Sequence, residues 1–186
     1  MTTKYIFIDI DGTLLSYTKG VPKSALEAID IARKNGHKVF INTGRVKSAV
    51  DELLKFFPFD GYVFAAGGYV QINDDVIYEN ILSKEDILKS IELFEKHAIG
   101  YVLEGSEYSY YNKQALENFR KRLENHKNNM EPQVRRHMIQ ENMVYPMSDY
   151  FENPQDINKI SLFADSLDDI LRLEKEFDNK FEFINY

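Results

Sequence analysis

An α/β fold is what this chain predicts, and three short apolar runs predict it. Residues 5–8, 38–42 and 62–66 are rich in Ile, Val and aromatics, and each stops abruptly at small polar residues. Runs of that length bounded by turn residues read as strands. Amphipathic stretches lie between them. The resulting order, β-α-β-α-β with short connections, argues for a parallel sheet with helices packed on its faces.

Each element has a local reason. Residues 5–8 read as a buried strand, closed by Asp9-Ile10-Asp11-Gly12-Thr13. Pro22 suits the start of a helix that carries Leu26, Ile29 and Ala32 on one face, and Asn35-Gly36 suits its end. The second strand closes on Thr43-Gly44-Arg45. A second helix follows, with Val46, Ala49, Val50, Leu53 and Leu54 on one face, stopping near Pro58. The third strand ends in Gly67-Gly68.

The character changes after residue 69. Residues 69–72 and 76–78 flank Asn73-Asp74-Asp75 as a hairpin does, and 101–103 and 108–111 flank Glu104-Gly105-Ser106-Glu107 in the same way. Ser83 with Asp86 predicts the start of a helix carrying Ile87, Ile91 and Phe94; Ser166 with Asp169 predicts another with Ile170, Leu173 and Phe177. Between them come a charged helix over 113–128, an irregular polar stretch over 129–157 and a strand over 159–164. A last strand falls at 181–184. This half reads as α+β with antiparallel strands. The expected domains are 1–81 and 82–186. No internal repeat or low-complexity tract is present.

Composition limits the function. The chain has 186 residues and a net charge of −7, so its surface as a whole does not attract nucleic acid or anionic lipid. It has no Cys, which excludes disulfides, thiolate metal sites and a cysteine nucleophile. The start is no signal peptide, because only four apolar residues separate Lys4 from Asp9. No apolar stretch approaches the roughly 20 residues of a membrane helix. The expectation is a soluble cytoplasmic protein.

The acidic turn carries the chemistry. In an extended chain residues i and i+2 point to one side, so Asp9 and Asp11 face one place and Ile10 faces the core. Gly12 lets the backbone turn, and the amides after it can form a small anion nest. Ligands bind at the carboxyl ends of strands in open α/β sheets. Two carboxylates there are costly unless a cation offsets them, and Mg²⁺ is the simplest. A calcium loop is a poor match, since Gly12 is fourth rather than sixth and a strand precedes it. A plain turn stays open on these residues alone. The second strand favours a site: Thr43 offers a hydroxyl, and free amides precede a helix, which suits a phosphate.

These motifs resemble the haloacid dehalogenase (HAD) phosphohydrolases. The carrying residues are Asp9-Ile10-Asp11-Gly12-Thr13-Leu14 after an apolar strand and Val39-Phe40-Ile41-Asn42-Thr43-Gly44-Arg45. The Thr-Gly-Arg form, followed by a large insert, looks like the Cof-type branch. The likeness covers residues 4–72 well; beyond, it rests on position and on Asn158-Lys159-Ile160. The resemblance implies a Rossmann-like parallel core, here incomplete, with an inserted α+β cap over 82–186. It implies Asp9 as nucleophile and Mg²⁺ ligand, and Asp11 as general acid/base that lends its backbone carbonyl to the metal. Gly12, Thr13, Thr43 and Gly44 would line the phosphate; Arg45 and Gly67 would have substrate or structural roles. The implied partner is a small phosphorylated substrate, such as a sugar phosphate or phosphorylated cofactor. The alternatives are a phosphosugar mutase and a non-catalytic binding protein that keeps the fold.

The departures are as specific. The family's third motif, a lysine after the cap, and its fourth, an acidic pair that completes the metal site, are not found before Tyr186. Lys159 and Lys180 lie inside cap-like segments and do not stand for that lysine. Asp168-Asp169 opens a cap helix. Ala66 stands where relatives often carry Asn. The expectation is a shortened form with little or no activity of its own. In the family the nucleophile strand is central, so the first strand here would keep an open edge and offer a route to self-association.

Other polar residues read as structural. His37, His97, His126 and His137 show no metal-ligand spacing. Arg120, Lys121, Arg122, Lys127, Arg135 and Arg136 read as a solvated face, with substrate contact as the alternative. Tyr108 and Tyr110 share a strand face, and packing is the simpler reading.

Overall fold

A computed structural model describes residues 2–16, 19–50, 54–55, 57–126, 144–164, 166–177, 181 and 183. The first sheet holds five strands: β1 Tyr5–Ile8, β2 Lys38–Asn42, β3 Gly61–Phe64, β4 Tyr69–Ile72 and β5 Asp75–Glu79. They lie in the order β1-β2-β3-β4-β5. The first three are parallel, and β4 and β5 return antiparallel. The parallel α/β expectation therefore holds for β1 to β3, and the first hairpin for β4 and β5. Helix α1, Lys23–Lys34, follows Pro22 and buries Ile29 against the sheet, with Ala25 and Ala32 beside it. Gly36 takes φ +84° just after the helix, a conformation glycine adopts freely.

The core beneath this sheet gathers Ile10, Leu14, Val39, Ile41, Leu54, Phe64 and their neighbours. Each fully buried large aliphatic side chain contributes roughly 1.5–3 kcal/mol over leaving it exposed. Strand β1 is not buried as its apolar run predicts. It is the edge strand, and Tyr5 and Phe7 are 68% and 56% exposed, their rings stacked on Phe40. Alternation explains this, since only Ile6 and Ile8 point to the packed side.

The stretch after β2 also departs from expectation. Lys47–Ala49 forms a single 3₁₀ turn, and residues 51–53 of the predicted second helix lie outside the described ones. Val46, Val50 and Leu54 are buried as the pattern requires. The Tyr62 hydroxyl lies 3.2, 3.1 and 3.2 Å from the carbonyls of Leu54, Lys55 and Phe57, serving groups at the end of that segment. Strand β3 stops at Phe64, two residues early, because Ala65 and Ala66 turn to positive φ.

The second sheet runs β8-β7-β6-β9. Its members are β6 Gly100–Glu104, β7 Ser109–Tyr111, β8 Val144–Pro146 and β9 Lys159–Phe163. Helices α2 Lys84–Lys96, α3 Lys113–His126, α4 Met147–Glu152 and α5 Leu167–Glu176 accompany it. Ser83 and Ser166 accept from the amides of Asp86 and Asp169, so both predicted helix starts are present. Asn112 accepts from the amides of Tyr101 and Ala115 and donates to Ile99, fixing the start of α3 on β6. The stretch 129–157 is not irregular throughout, since it contains β8 and α4. Residues 127–143 lie outside the described ones. So do residues 182 and 184 of the last predicted strand; Phe181 and Phe183 pack on Phe177. Tyr108 and Tyr110 pack with Tyr145, and Tyr110 with Tyr150, so they serve the core.

Candidate active site

Strand β1 ends at Ile8, and the acidic turn sits at the carboxyl end of the parallel strands. Ile10 is fully buried, which anchors the turn between its two aspartates. Gly12 takes φ +75°, a conformation that strains residues with a Cβ. The expected anion nest is not formed by the following amides. Those of Gly12, Thr13, Leu14 and Leu15 donate to the carbonyls of Leu15, Ile10, Asp9 and Ile10 at 2.8–3.3 Å. A tight turn closing on itself consumes donors that an open loop would present. Thr13 Oγ1 lies 3.5 Å from Asp9 Oδ2, and Asp9 is exposed.

Asp11 is held from the second motif. Arg45 donates through Nε to one Asp11 oxygen at 2.7 Å and through Nη2 to the other at 2.5 Å. Two parallel bonds from a planar guanidinium fix both position and plane of the carboxylate. The third arm of the fork, Nη1, donates to the Ala49 carbonyl at 3.0 Å, which ties Arg45 to the 3₁₀ turn. Arg45 thus has a structural role toward Asp11. Thr43 is buried, and its hydroxyl oxygen accepts from the Arg45 amide at 3.2 Å. A hydroxyl that accepts in this way keeps its own proton for another partner.

The third strand end closes on the same motif. The amides of Ala65 and Ala66 donate to the carbonyls of Arg45 and Thr43 at 2.7 and 3.1 Å. Ala65, Ala66 and Gly67 take φ of +52°, +54° and +98° in succession. Left-handed backbone costs an ordinary residue about 1–2 kcal/mol, and such strain gathers at sites that over-determine it. Gly67 is the one member of the three that needs no compensation.

The second sheet docks on this loop. Lys159, at the start of β9, donates Nζ to the Gly44 carbonyl at 2.8 Å and pairs with Glu104 at 2.9 Å. Glu104 also accepts from Ser161 at 2.7 Å. Burial and the neighbouring Glu104 carboxylate push the Tyr111 hydroxyl up from its ordinary value. Ser48 donates to the Gly105 carbonyl at 2.9 Å, and Asn158 donates to Glu79 and Asn80 at 3.0 Å. Lys159 belongs to the second sheet, and its ammonium reaches the second motif, a contact no sequence pattern signals. The Ser48 contact has no such signal either.

Of the proposed site residues, Asp11 and Thr43 are both bonded to Arg45, and Gly44, between Thr43 and Arg45 in the chain, is held by Lys159. Asp9, Gly12 and Thr13 share the first turn, and Gly67 belongs to the turn bonded to Thr43 and Arg45. Among the described residues, no three His, Cys, Asp or Glu converge on a metal position. Mg²⁺ needs fewer protein groups, since one or two carboxylates plus water and substrate oxygens suffice. The Asp9 carboxylate fits that need. The Asp11 carboxylate is held by Arg45, so its backbone carbonyl is the contribution compatible with the ion pair.

Comparison with known proteins identifies the family. The family model for haloacid dehalogenase-like hydrolases matches residues 6–186. The chain is 30% identical over 106 residues to YkrA of Bacillus subtilis, provisionally named a phosphatase, covering 56% of this chain and 41% of that protein. It is 25% identical over 182 residues to the pyridoxal phosphate phosphatase YbhA of Escherichia coli, covering 94% of this chain and 62% of that one. The chain therefore spans less than two thirds of each relative. A solved sugar phosphatase of HAD subclass IIB, BT4131, superposes with a TM-score of 0.66 at 21% identity, over 94% of this chain and 63% of the other. The chain belongs to the haloacid dehalogenase-like hydrolase family, with the fold of its Cof-like, subclass IIB branch.

Proposed function

We propose that this protein is a Mg²⁺-dependent phosphatase for small phosphate monoesters, working through an aspartyl-phosphate on Asp9. The observation that carries the reading is the arrangement at the strand ends. An exposed carboxylate, Asp9, lies two residues from a second, Asp11, which Arg45 grips at 2.5 and 2.7 Å beside the buried Thr43 hydroxyl. Carboxylates are known nucleophiles toward phosphoryl groups. In the first step an Asp9 oxygen bonds to phosphorus and the ester P–O bond breaks; Asp11 supplies the proton to the departing oxygen from its neutral form, which requires that it be protonated and let go of Arg45 for this step, and it is left as the carboxylate that Arg45 holds. In the second step Asp11 takes a proton from water, whose oxygen bonds to phosphorus as the Asp9–phosphorus bond breaks. Thr43 donates its hydroxyl proton to a phosphate oxygen throughout.

When bound, Mg²⁺ on the Asp9 carboxylate and the Asp11 backbone carbonyl would offset the repulsion between nucleophile and phosphate. The half from residue 82 onward would act as the cap that excludes water and selects the leaving group. The names of YbhA and BT4131 support a phosphorylated cofactor or sugar phosphate as substrate class. The test is phosphate release from a panel of such esters by the full reading frame with Mg²⁺, beside Asp9→Asn. Release abolished by Asp9→Asn is expected; release that persists overturns the mechanism.

A further inference from the structure

We infer that Lys159 is a positioning residue: from the second sheet it prepares the Thr43 hydroxyl to donate to phosphate, acting through the Gly44–Arg45 peptide group. The inference rests on the phosphatase reading of this site. The chain of contacts is short. Lys159 Nζ donates to the Gly44 carbonyl at 2.8 Å, and the Arg45 amide donates to Thr43 Oγ1 at 3.2 Å. That carbonyl and that amide are the two ends of one conjugated peptide unit. A cationic donor on the oxygen withdraws electron density and makes the N–H a stronger donor. The Thr43 oxygen is then held as an acceptor, and its proton points elsewhere. Arg45, on the far side of the same peptide, grips Asp11, so one ammonium bears on both motifs.

The geometry is built rather than incidental. Glu104 and Lys159 are register partners on neighbouring strands, so their side chains share a face of the second sheet. The side chains of Lys159 and Glu104 are 25% and 14% exposed, and Ser161 holds Glu104 from two residues along β9. Partial burial strengthens each of these bonds relative to water. The Ser48–Gly105 bond, itself buried, pins the same seam a few residues away. Lys159 therefore acts on the site through backbone, unlike a lysine that touches phosphate directly.

The test uses the full reading frame and two phosphate esters with dissimilar leaving groups. Lys159→Met is expected to lower kcat/KM about tenfold, by the same factor for both esters, with Lys159→Arg recovering most of it. In a Thr43→Val background Lys159→Met should cost nothing further, because the group it acts through is gone. Unchanged activity in Lys159→Met overturns the inference. So do additive losses in the double variant, and so does a loss confined to one ester, which would make Lys159 a substrate contact. Should Lys159→Met lose its circular dichroism signature, Lys159→Gln removes the charge while keeping a donor, and the same outcomes apply. A wild type with no Asp9-dependent turnover would defeat the phosphatase reading instead. The inference is then read from calorimetry of inorganic phosphate, where Lys159→Met must weaken binding with Thr43 present and leave it unchanged in the Thr43→Val background.

Discussion

The first sheet carries an aspartate–arginine pair at each end, and the two pairs do different work. At the amino end of the parallel strands Asp60 is buried, and its side chain accepts from Arg33 at 3.0 Å, Lys38 at 3.0 Å and the Val39 amide at 2.9 Å. Burial alone would raise its pKa; the bonds from Arg33, Val39 and Lys38 outweigh it and hold the group at about 2. At the carboxyl end Asp11 is 32% exposed and gripped by Arg45. Asp60 joins α1, β2 and β3 where nothing needs to move or react. Asp11 stands at the mouth of the sheet, where a fixed carboxylate can meet a substrate. The same ion chemistry thus builds stability at one end and orientation at the other.

Removing each carboxylate should separate the two roles. Asp11→Asn keeps the shape but removes proton transfer, a contribution of typically 10²–10⁴-fold. Turnover by the full reading frame should fall by about that factor, with the unfolding midpoint nearly unchanged; a variant that loses stability and keeps activity would reverse the assignment. Asp60→Ala should do the opposite, costing about 2–3 kcal/mol in denaturant unfolding while the protein that stays folded keeps its kcat. Its pH dependence has a definite sign. Asp60 has a folded pKa below the ordinary 3.8, so its contribution is fully present above 3.8 and is lost as pH falls toward about 2. Wild type should lose on the order of 2 kcal/mol across that window beyond what Asp60→Ala loses. Parallel acid curves for the two would remove Asp60 from the account.

Much of this was legible in the sequence. Strand ends at Asp9 and Thr43, both hairpins and the caps at Ser83 and Ser166 follow from local rules, because each involves residues within a few positions. The roles of Arg45 and Lys159 were not legible. Arg45 meets Asp11 across 34 residues and Lys159 meets Gly44 across 115, and no periodicity records such distances. Strand β8 leaves no sequence signal because it has three residues, ends in Pro146 and pairs with β7 from far along the chain. The 3₁₀ turn at Lys47–Ala49 carries the same buried positions as a helix would, so apolar spacing could not distinguish them.

Ala66 sharpens the comparison from the carboxyl end. The backbone conformation at this position suits Asn better than Ala. Ala66 takes φ +54°, is exposed, and donates its amide to Thr43. Asn tolerates the left-handed region better than Ala because its side chain bonds locally to backbone. Ala66→Asn should therefore stabilise by about 0.5–1 kcal/mol in denaturant unfolding. Ala66→Gly should gain less, since glycine relieves the strain but frees the unfolded chain. Ala65→Asn should destabilise despite a similar φ of +52°, because Ala65 is buried and offers no room for the amide. If all three rank by side-chain size instead, the strain lies elsewhere in the turn. If the expected order holds, the third strand end stores strain at the motif that holds Asp11. Among the described residues at the Asp60 end, only the glycine that closes α1 and Asn73 in its hairpin turn take positive φ.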